Sequence, residues 1–351
     1  MKIKGLFAWL LLCALLLICS CAPAATPPPS SNIPQNGAEN EEEPKETAPT
    51  RAELQEAVDL LDEGAVLPLA DHRVLLTSDT HYTYLQTWYG VTPEKRMQAW
   101  VDAILYEHSL RPFDLIVIIG DTSLDHWKWN GGGSYIKDGV TTTKAFMENY
   151  VSQLPQDVPV FVLAGNHEQF GNEKWREITG NDRQGSFVLG DNLFLFLDSF
   201  SAELDPNYHH DGYATAPDAE YIRAEMEKYP EHTVYLISHY FHLDMGGDEF
   251  AEIVSDPRVV TLFQGHTHKC APIELGEEYG NKQILETGNF SYTSQTESAQ
   301  SMIESFWGFR DLVLVGPRAV SRYIVAQSEA IVKGALTQVP RQLCQVVELN
   351  R

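Results

Sequence analysis

Val158-Pro159-Val160-Phe161-Val162-Leu163-Ala164-Gly165-Asn166-His167-Glu168 decides how this chain is read. Its first seven residues are apolar apart from Pro159, and a short apolar run stopped by glycine reads as a strand buried on both faces. An amide carbonyl, an imidazole and a carboxylate follow directly, at the C-terminal end of that strand. Open α/β sheets bind their ligands along this edge.

Four other apolar runs end in the same manner. Val74, Leu75 and Leu76 lead into Asp79-Thr80-His81, and residues 115–119 run into Gly120-Asp121. Residues 234–237 end in Ser238-His239, and residues 259–263 in Gly265-His266-Thr267-His268. Helical patterns lie between them. Thr92-Pro93 opens one with Met97, Trp100, Val101, Ile104 and Leu105 on a single face. Phe146, Met147, Tyr150, Val151 and Leu154 mark a second, residues 218–229 a third, and a short one precedes residue 259. Residues 187–189 and 193–197 flank Gly190-Asp191-Asn192 as a hairpin. Residues 273–275, 283–286 and 312–315 read as further strands, and 323–325 as a candidate last one. There is no internal repeat. Strands alternating with helices and then following one another predict an α/β fold of two mixed β-sheets packed face to face and flanked by helices, four layers in all.

The N-terminus has a different character. Lys2 and Lys4 precede an apolar run over residues 6–18, too short to span a bilayer comfortably and placed like the hydrophobic part of a signal peptide. Ile18-Cys19-Ser20-Cys21 then resembles a bacterial lipobox, which makes Cys21 the expected lipidation site and residues 1–21 a lipoprotein signal peptide. A cut at residues 22–25 that releases the protein, or an uncleaved anchor, are the alternatives. Residues 22–50 are rich in Pro and Ser and contain Glu41-Glu42-Glu43; with so little to bury they are expected to form a disordered tether that holds the domain off the membrane surface. Thr50 and Glu53 have capping-box spacing, followed by Leu54, Ala57, Val58 and Leu61 and closed by Gly64, so a helix is expected to open the folded domain. That domain is expected to run over residues 51–330, with 331–351 an extension whose pattern is too weak to place. These features point to an extracytoplasmic, lipid-anchored protein, or else a secreted one.

Composition narrows the partners. Lys and Arg number 25 against 49 Asp and Glu, a formal charge of −24, which argues against nucleic-acid binding and electrostatic docking on anionic lipid. A phosphate-bearing substrate must then be attracted locally, by metal ions. Of the five cysteines, three lie at or before residue 21, and Cys270 and Cys344 are too few for a disulfide framework.

Taken singly, a histidine after a strand or an aspartate after a glycine is an ordinary hydrogen-bonding or turn residue. Taken together, five strand ends present Asp79, His81, Asp121, Asn166, His167, His239, His266 and His268. Alternation along an extended segment puts Asp79 and His81 on one side, and does the same for His266 and His268. Imidazole, carboxylate and one amide oxygen, with no thiolate, suit divalent Mn, Fe or Zn. Seven ligands exceed the needs of one ion and suit two.

These five blocks, D-x-H, G-D, G-N-H-[DE], H and G-H-x-H in order, resemble the calcineurin-like metallophosphoesterase superfamily over residues 74–290. The resemblance implies one ion on Asp79, His81 and His268, a second on Asn166, His239 and His266, and Asp121 as the bridge, each of its oxygens facing one ion. It implies hydrolysis of a small phosphate ester by a hydroxide shared between the ions, with His167 as proton donor to the leaving oxygen. Leu124 stands where purple acid phosphatases carry a tyrosinate, so that branch is not indicated. His242 rivals His239 as a ligand; His239 is preferred because it directly follows the strand. Asp125 is a candidate acceptor for a ligand imidazole, and Tyr82, Tyr84, Trp88, Tyr89, Trp127 and Trp129 are candidates for a substrate groove or for core packing. His209 and His210 lie in a loop that can approach the site. A phosphodiesterase acting on nucleotides or glycerophosphate-type esters, and an inactive surface binding protein on the same scaffold, are the competing readings.

Overall fold

The computed structural model describes residues 70–83, 91–124, 128–129, 135–136, 139–168, 170–200, 212–291, 307–316, 318–326 and 346–350. The leader with Cys21, the tether, the expected helix over residues 50–64, Tyr84, Trp88, Tyr89, Asp125, Trp127, His209, His210 and Cys344 lie outside the described residues, as does the side chain of Trp129. In chain order the elements are β1 (His72–Thr77), α1 (Pro93–Leu110), β2 (Leu115–Ile119), β3 (Lys128–Trp129), β4 (Tyr135–Ile136), α2 (Gly139–Asn149), β5 (Val160–Leu163) and α3 (Asn172–Thr179). Then follow β6 (Gly185–Leu189), β7 (Asn192–Leu197), α4 (Ala219–Lys228), β8 (Thr233–Ser238), α5 (Leu243–Ser255), β9 (Val259–Gln264), β10 (Pro272–Glu274), β11 (Gln283–Glu286), β12 (Gly308–Val315), β13 (Arg318–Val325) and β14 (Val346–Asn350).

Two six-stranded sheets result, ordered β14-β13-β12-β1-β2-β5 and β10-β11-β9-β8-β7-β6. Both are mixed. In the first, β1, β2 and β5 are parallel while β12 runs antiparallel to β1; in the second, β7, β8, β9 and β11 are parallel. Parallel strands are buried on both faces, which is why they read as continuous apolar runs. Period-two alternation divides their side chains between layers. Val74, Leu76, Val117, Ile119 and Leu163 of the first sheet pack against Phe194, Phe196, Tyr235, Ile237 and Phe263 of the second. Leu75, Ile116, Ile118 and Val162 face outward to Met97, Trp100 and Ile104 of α1 and Phe146 of α2. On the far side Leu195, Leu197, Leu236 and Leu262 meet Ile222 of α4 and Phe250 and Val254 of α5. The order helix, sheet, sheet, helix is the expected four-layer α/β sandwich.

Three differences have local causes. Helix α3 gives no apolar period, because Trp175 is its one buried residue. Strands β12 and β13 each run eight residues, longer than their apolar cores suggest, because Arg310, Asp311 and Arg322 lie inside them. Arg73 donates through Nε and Nη2 to the Asp311 carboxylate at 2.9–3.0 Å, and Arg322 Nε donates to the same group at 2.6 Å. Paired in this way, the charges are buried without a net desolvation penalty large enough to break the strands. Finally, residues 331–351, set apart in the sequence reading, end in β14. It pairs antiparallel with β13, Val320 opposite Glu348, and completes the edge of the first sheet. Among the described residues no helix is long and apolar enough to cross a membrane.

Candidate metal centre

All eight singled-out residues meet where the parallel strands of both sheets end. From the first sheet, β1 delivers Asp79 and His81, β2 delivers Asp121, and β5 delivers Asn166 and His167. From the second, β8 delivers His239, and β9 delivers His266 and His268. His81 Nε2 and His268 Nε2 lie 3.0 Å apart, and 3.6 and 3.5 Å respectively from Asp79 Oδ1. A second group forms around Asn166 Oδ1, 3.0 Å from His239 Nε2 and 2.9 Å from His266 Nδ1. Asp121 Oδ2 reaches both, at 3.1 Å from His239 Nε2 and 3.6 Å from His81 Nε2. Its other oxygen accepts the backbone N–H of His167 at 3.0 Å. A single oxygen therefore faces both groups, in place of one oxygen for each. His167 Nε2 stands 3.8 Å from the same Oδ2. His242, half-buried, belongs to no such cluster among the described residues, so it is His239 that the geometry brings in.

Backbone conformation explains how adjacent ligands converge, and corrects one expectation. Asp79, His81, Asp121, His266 and His268 have φ of 52°, 41°, 50°, 67° and 60°; Asn281 is the one other non-glycine residue with positive φ among those described. The D-x-H and H-x-H segments are thus left-handed turns rather than extended pieces, and they aim their side chains by turning. His266 and His268 consequently serve different groups. Such conformations cost roughly 1–3 kcal/mol each and persist only where surrounding structure over-determines them. Two glycines allow the crowding: a Cβ on Gly165 would collide with Asp121 Oδ1, and one on Gly120 would sit 2.6 Å from His239 Nδ1.

The surrounding structure includes residues that sequence reasoning left without a role. The buried Glu168 carboxylate accepts five hydrogen bonds, from the backbone N–H groups of Asp121, Thr122, Ser123 and Gly165 and from Thr122 Oγ1, at 2.7–3.1 Å. It ties the G-D turn to the G-N-H turn, and the acidic position in the family pattern was its one signal. Arg183 donates to the carbonyls of Glu168, Phe170 and Phe200 while its fork holds Asp198. Phe200 in turn lies against the rings of His239 and His266, at 5.7 and 5.6 Å between centroids. Thr267 Oγ1 donates to Glu286 at 2.6 Å, anchoring the G-H-T-H turn on β11. Tyr82 is buried, the packing alternative rather than a groove, and Cys270 is buried as well.

Electrostatics follow from the burial. Burial pulls His81 down to about 4 and, together with the His239 charge, His266 down to about 3, so both imidazoles are neutral at pH 7 and ready to coordinate. Burial also opposes ionisation of Asp79, but His268, His81 and His239 hold its carboxyl well below the usual range. Burial, reinforced by Glu168 and Asp79, pushes Asp121 up to about 7 against the pull of His239. His239 itself is disfavoured as a cation by burial, yet Asp121 and then Asp79 raise it to about 10. Its Nδ1 donates to the carbonyl of Ile119 at 2.7 Å, so the exchangeable proton sits on Nε2, the atom facing Asp121. An ion entering here must displace it. Because the raised value means the proton is held until pH passes through about 10, proton competition weakens and metal affinity should rise with pH throughout the range below that point. We expect at least one proton released per protein at pH 7 as the Asn166 group fills, one from His239 and a further part from Asp121. Titration calorimetry in two buffers of different ionisation enthalpy measures it, and identical apparent heats would refute it.

The donor set fits divalent ions: imidazole nitrogens, carboxylates and an amide oxygen converge from two sheets on two overlapping points, without a thiolate.

The sequence profile described as calcineurin-like phosphoesterase matches residues 72–270, more than half of the chain. The protein belongs to the calcineurin-like phosphoesterase family. No curated protein matches the chain. Among solved structures it is similar to GAP50, the anchor in the inner membrane complex of Plasmodium, at 14% identity, covering 80% of this chain and 89% of that one with a TM-score of 0.48. It is also similar to a single mutant of Vps29 from Entamoeba histolytica, at 11% identity, 80% and 99% coverage and a TM-score of 0.34. Chaetomium thermophilum Vps29 gives 11% identity, 80% and 95% coverage and a TM-score of 0.33.

Proposed function

We propose that this protein is an extracytoplasmic, membrane-tethered phosphoesterase that hydrolyses small phosphate esters with two divalent ions, Mn, Fe or Zn. One would be held by Asp79, His81 and His268, the other by Asn166, His239 and His266, with Asp121 shared. The observation that carries this reading is Asp121 Oδ2, within 3.1 and 3.6 Å of an imidazole nitrogen from each group. A scaffold kept only for binding has no use for a buried carboxylate between two sets of ligands.

Two such ions, when bound, supply Lewis acidity toward the phosphoryl oxygens and a water acidic enough to attack phosphorus near neutral pH. The chain does the rest. Asp121 and Asp79 set the negative charge against which the ions are spaced. Glu168 and the flanking glycines keep the G-D and G-N-H turns in register, so positioning costs no reorganisation during reaction. His167, 3.8 Å from the shared oxygen, is buried beside His81 and Asp121 with its ring edge-on to His81, centroids 4.8 Å apart. From there it delivers a proton to the leaving oxygen. The net charge of −24 repels phosphate in general, so affinity for substrate arises at the ions.

Monoesters and diesters are separated by a hydrolysis screen on protein reconstituted singly with Mn, Fe and Zn. Turnover of an aryl monophosphate supports the phosphatase reading, and turnover confined to diesters the phosphodiesterase alternative. Two bound ions without turnover of any ester would leave a binding scaffold.

The anchor rests on Ile18-Cys19-Ser20-Cys21. Cys21→Ser should move the protein out of the membrane fraction or block processing of the leader. Unchanged membrane association with a mature N-terminus beyond residue 21 would rule out lipidation at this cysteine.

A further inference from the structure

Arg96 lies in the first turns of α1 and is wholly buried, although it is a cation. Its Nη1 donates to the backbone carbonyls of Thr80 and Phe290, and its Nη2 to that of His81 at 3.1 Å. Thr80 is the middle of the left-handed Asp79-Thr80-His81 turn. The second segment it grips is tied to the same ligands: Phe290 N–H donates to the Asp79 carbonyl at 3.1 Å, and Asn289 Nδ2 to the His268 carbonyl at 2.8 Å. One guanidinium thus joins the backbones of Asp79, His81 and His268. None of the three carbonyls belongs to the Asn166 or His239 turns, and His266 is reached indirectly, through its N–H, which donates to the Asp79 carboxylate at 2.9–3.2 Å.

Desolvating a guanidinium is costly, and an apolar side chain would fill the same volume. Only a planar fork with five donors can serve three carbonyls on two segments at once; an ammonium offers its donors from one point. The turn it holds carries positive φ at both ends, a conformation that needs outside support.

We propose that Arg96 is a positioning residue chiefly for one metal site: it presets the Asp79, His81 and His268 ligands and bears on the Asn166 site much less. This rests on the two-ion reading above.

Mn(II) titration of the full chain, followed by electron paramagnetic resonance, tests both levels separately. The wild type should bind two ions with the broadened signal of a coupled pair; if it binds none or one, the two-ion reading itself fails, and this proposal with it. Given two, Arg96→Met should keep one ion near wild-type affinity with an isolated Mn(II) signal, and weaken the other by roughly 10–100-fold, the usual cost of losing a group that orients a ligand. Arg96→Lys should recover part of that loss. Trp100→Phe, which removes the Trp100 Nε1 donation to Thr77 Oγ1 at 3.1 Å from the same helix, should retain the coupled pair even though the fold is weakened. Equal weakening of both sites in Arg96→Met, unfolding of that variant without metal, or an intact coupled pair would each overturn the assignment.

Discussion

Asp121→Asn is expected to strip both ions from the centre, whereas Asp79→Asn strips chiefly one. The asymmetry follows from position. Asp121 Oδ2 faces the imidazoles of His239 in one group and His81 in the other, while Asp79 Oδ1 faces the imidazoles of His81 and His268 and meets the second group through the His266 backbone N–H, which its carboxylate accepts at 2.9–3.2 Å. Asparagine keeps the shape and an oxygen able to accept the His167 N–H, so the turn survives and the lost element is charge. In the proposed two-ion centre, two dications held close together would repel strongly in a buried site, and the shared carboxylate would offset this. Turnover on any ester should fall on the order of 10²–10³-fold or more, the scale of removing one preorganised electrostatic partner. Elemental analysis after dialysis gives the metal count. Two tightly bound ions in purified Asp121→Asn would contradict a shared ligand.

For His167→Gln the expected loss depends on the leaving group. An alkoxide needs a proton in the transition state and a nitrophenolate hardly does, so a general acid contributes about 10²–10⁴-fold on alkyl esters and little on nitrophenyl esters. The competing account is that His167 merely supports Asn166, its chain neighbour and a candidate ligand. A supporting residue would lower metal affinity and slow every ester alike. Rates on matched aryl and alkyl substrates at saturating metal decide, with metal content measured alongside. Equal losses on both would remove His167 from the acid role.

Much of the centre was legible because its residues sit where parallel strands stop, and such strands announce themselves as unbroken apolar runs followed by glycine. Residues 115–119 are the clearest instance, with all five positions apolar and buried. What could not be read are the groups whose role depends on a partner far along the chain. Arg96 shares a helical face with Trp100 by its four-residue spacing, so its presence on a core face was visible; that its targets were Thr80 and Phe290 was not. Glu168 belonged to a motif, yet nothing local tells that four backbone amides converge on it. The left-handed turns escaped for a related reason: Asp and His tolerate positive φ without signalling it as glycine does. Strand β14 offers only Val346-Val347-Glu348-Leu349-Asn350, too short a pattern to stand without the neighbouring β13 already in view.

The concentration of positive φ on Asp79, His81, Asp121, His266 and His268 also bears on how such a protein drifts over generations. Five residues at roughly 1–3 kcal/mol each sum to an amount on the order of the whole net stability of a domain. Glycine occupies this conformation at no steric cost, and asparagine at little, but neither carries an imidazole. The replacements that abolish ion binding are therefore among those that relax the backbone. Replacing these residues by glycine or asparagine is therefore expected to raise folding stability while removing the donors from the cluster, a trade-off between site and fold.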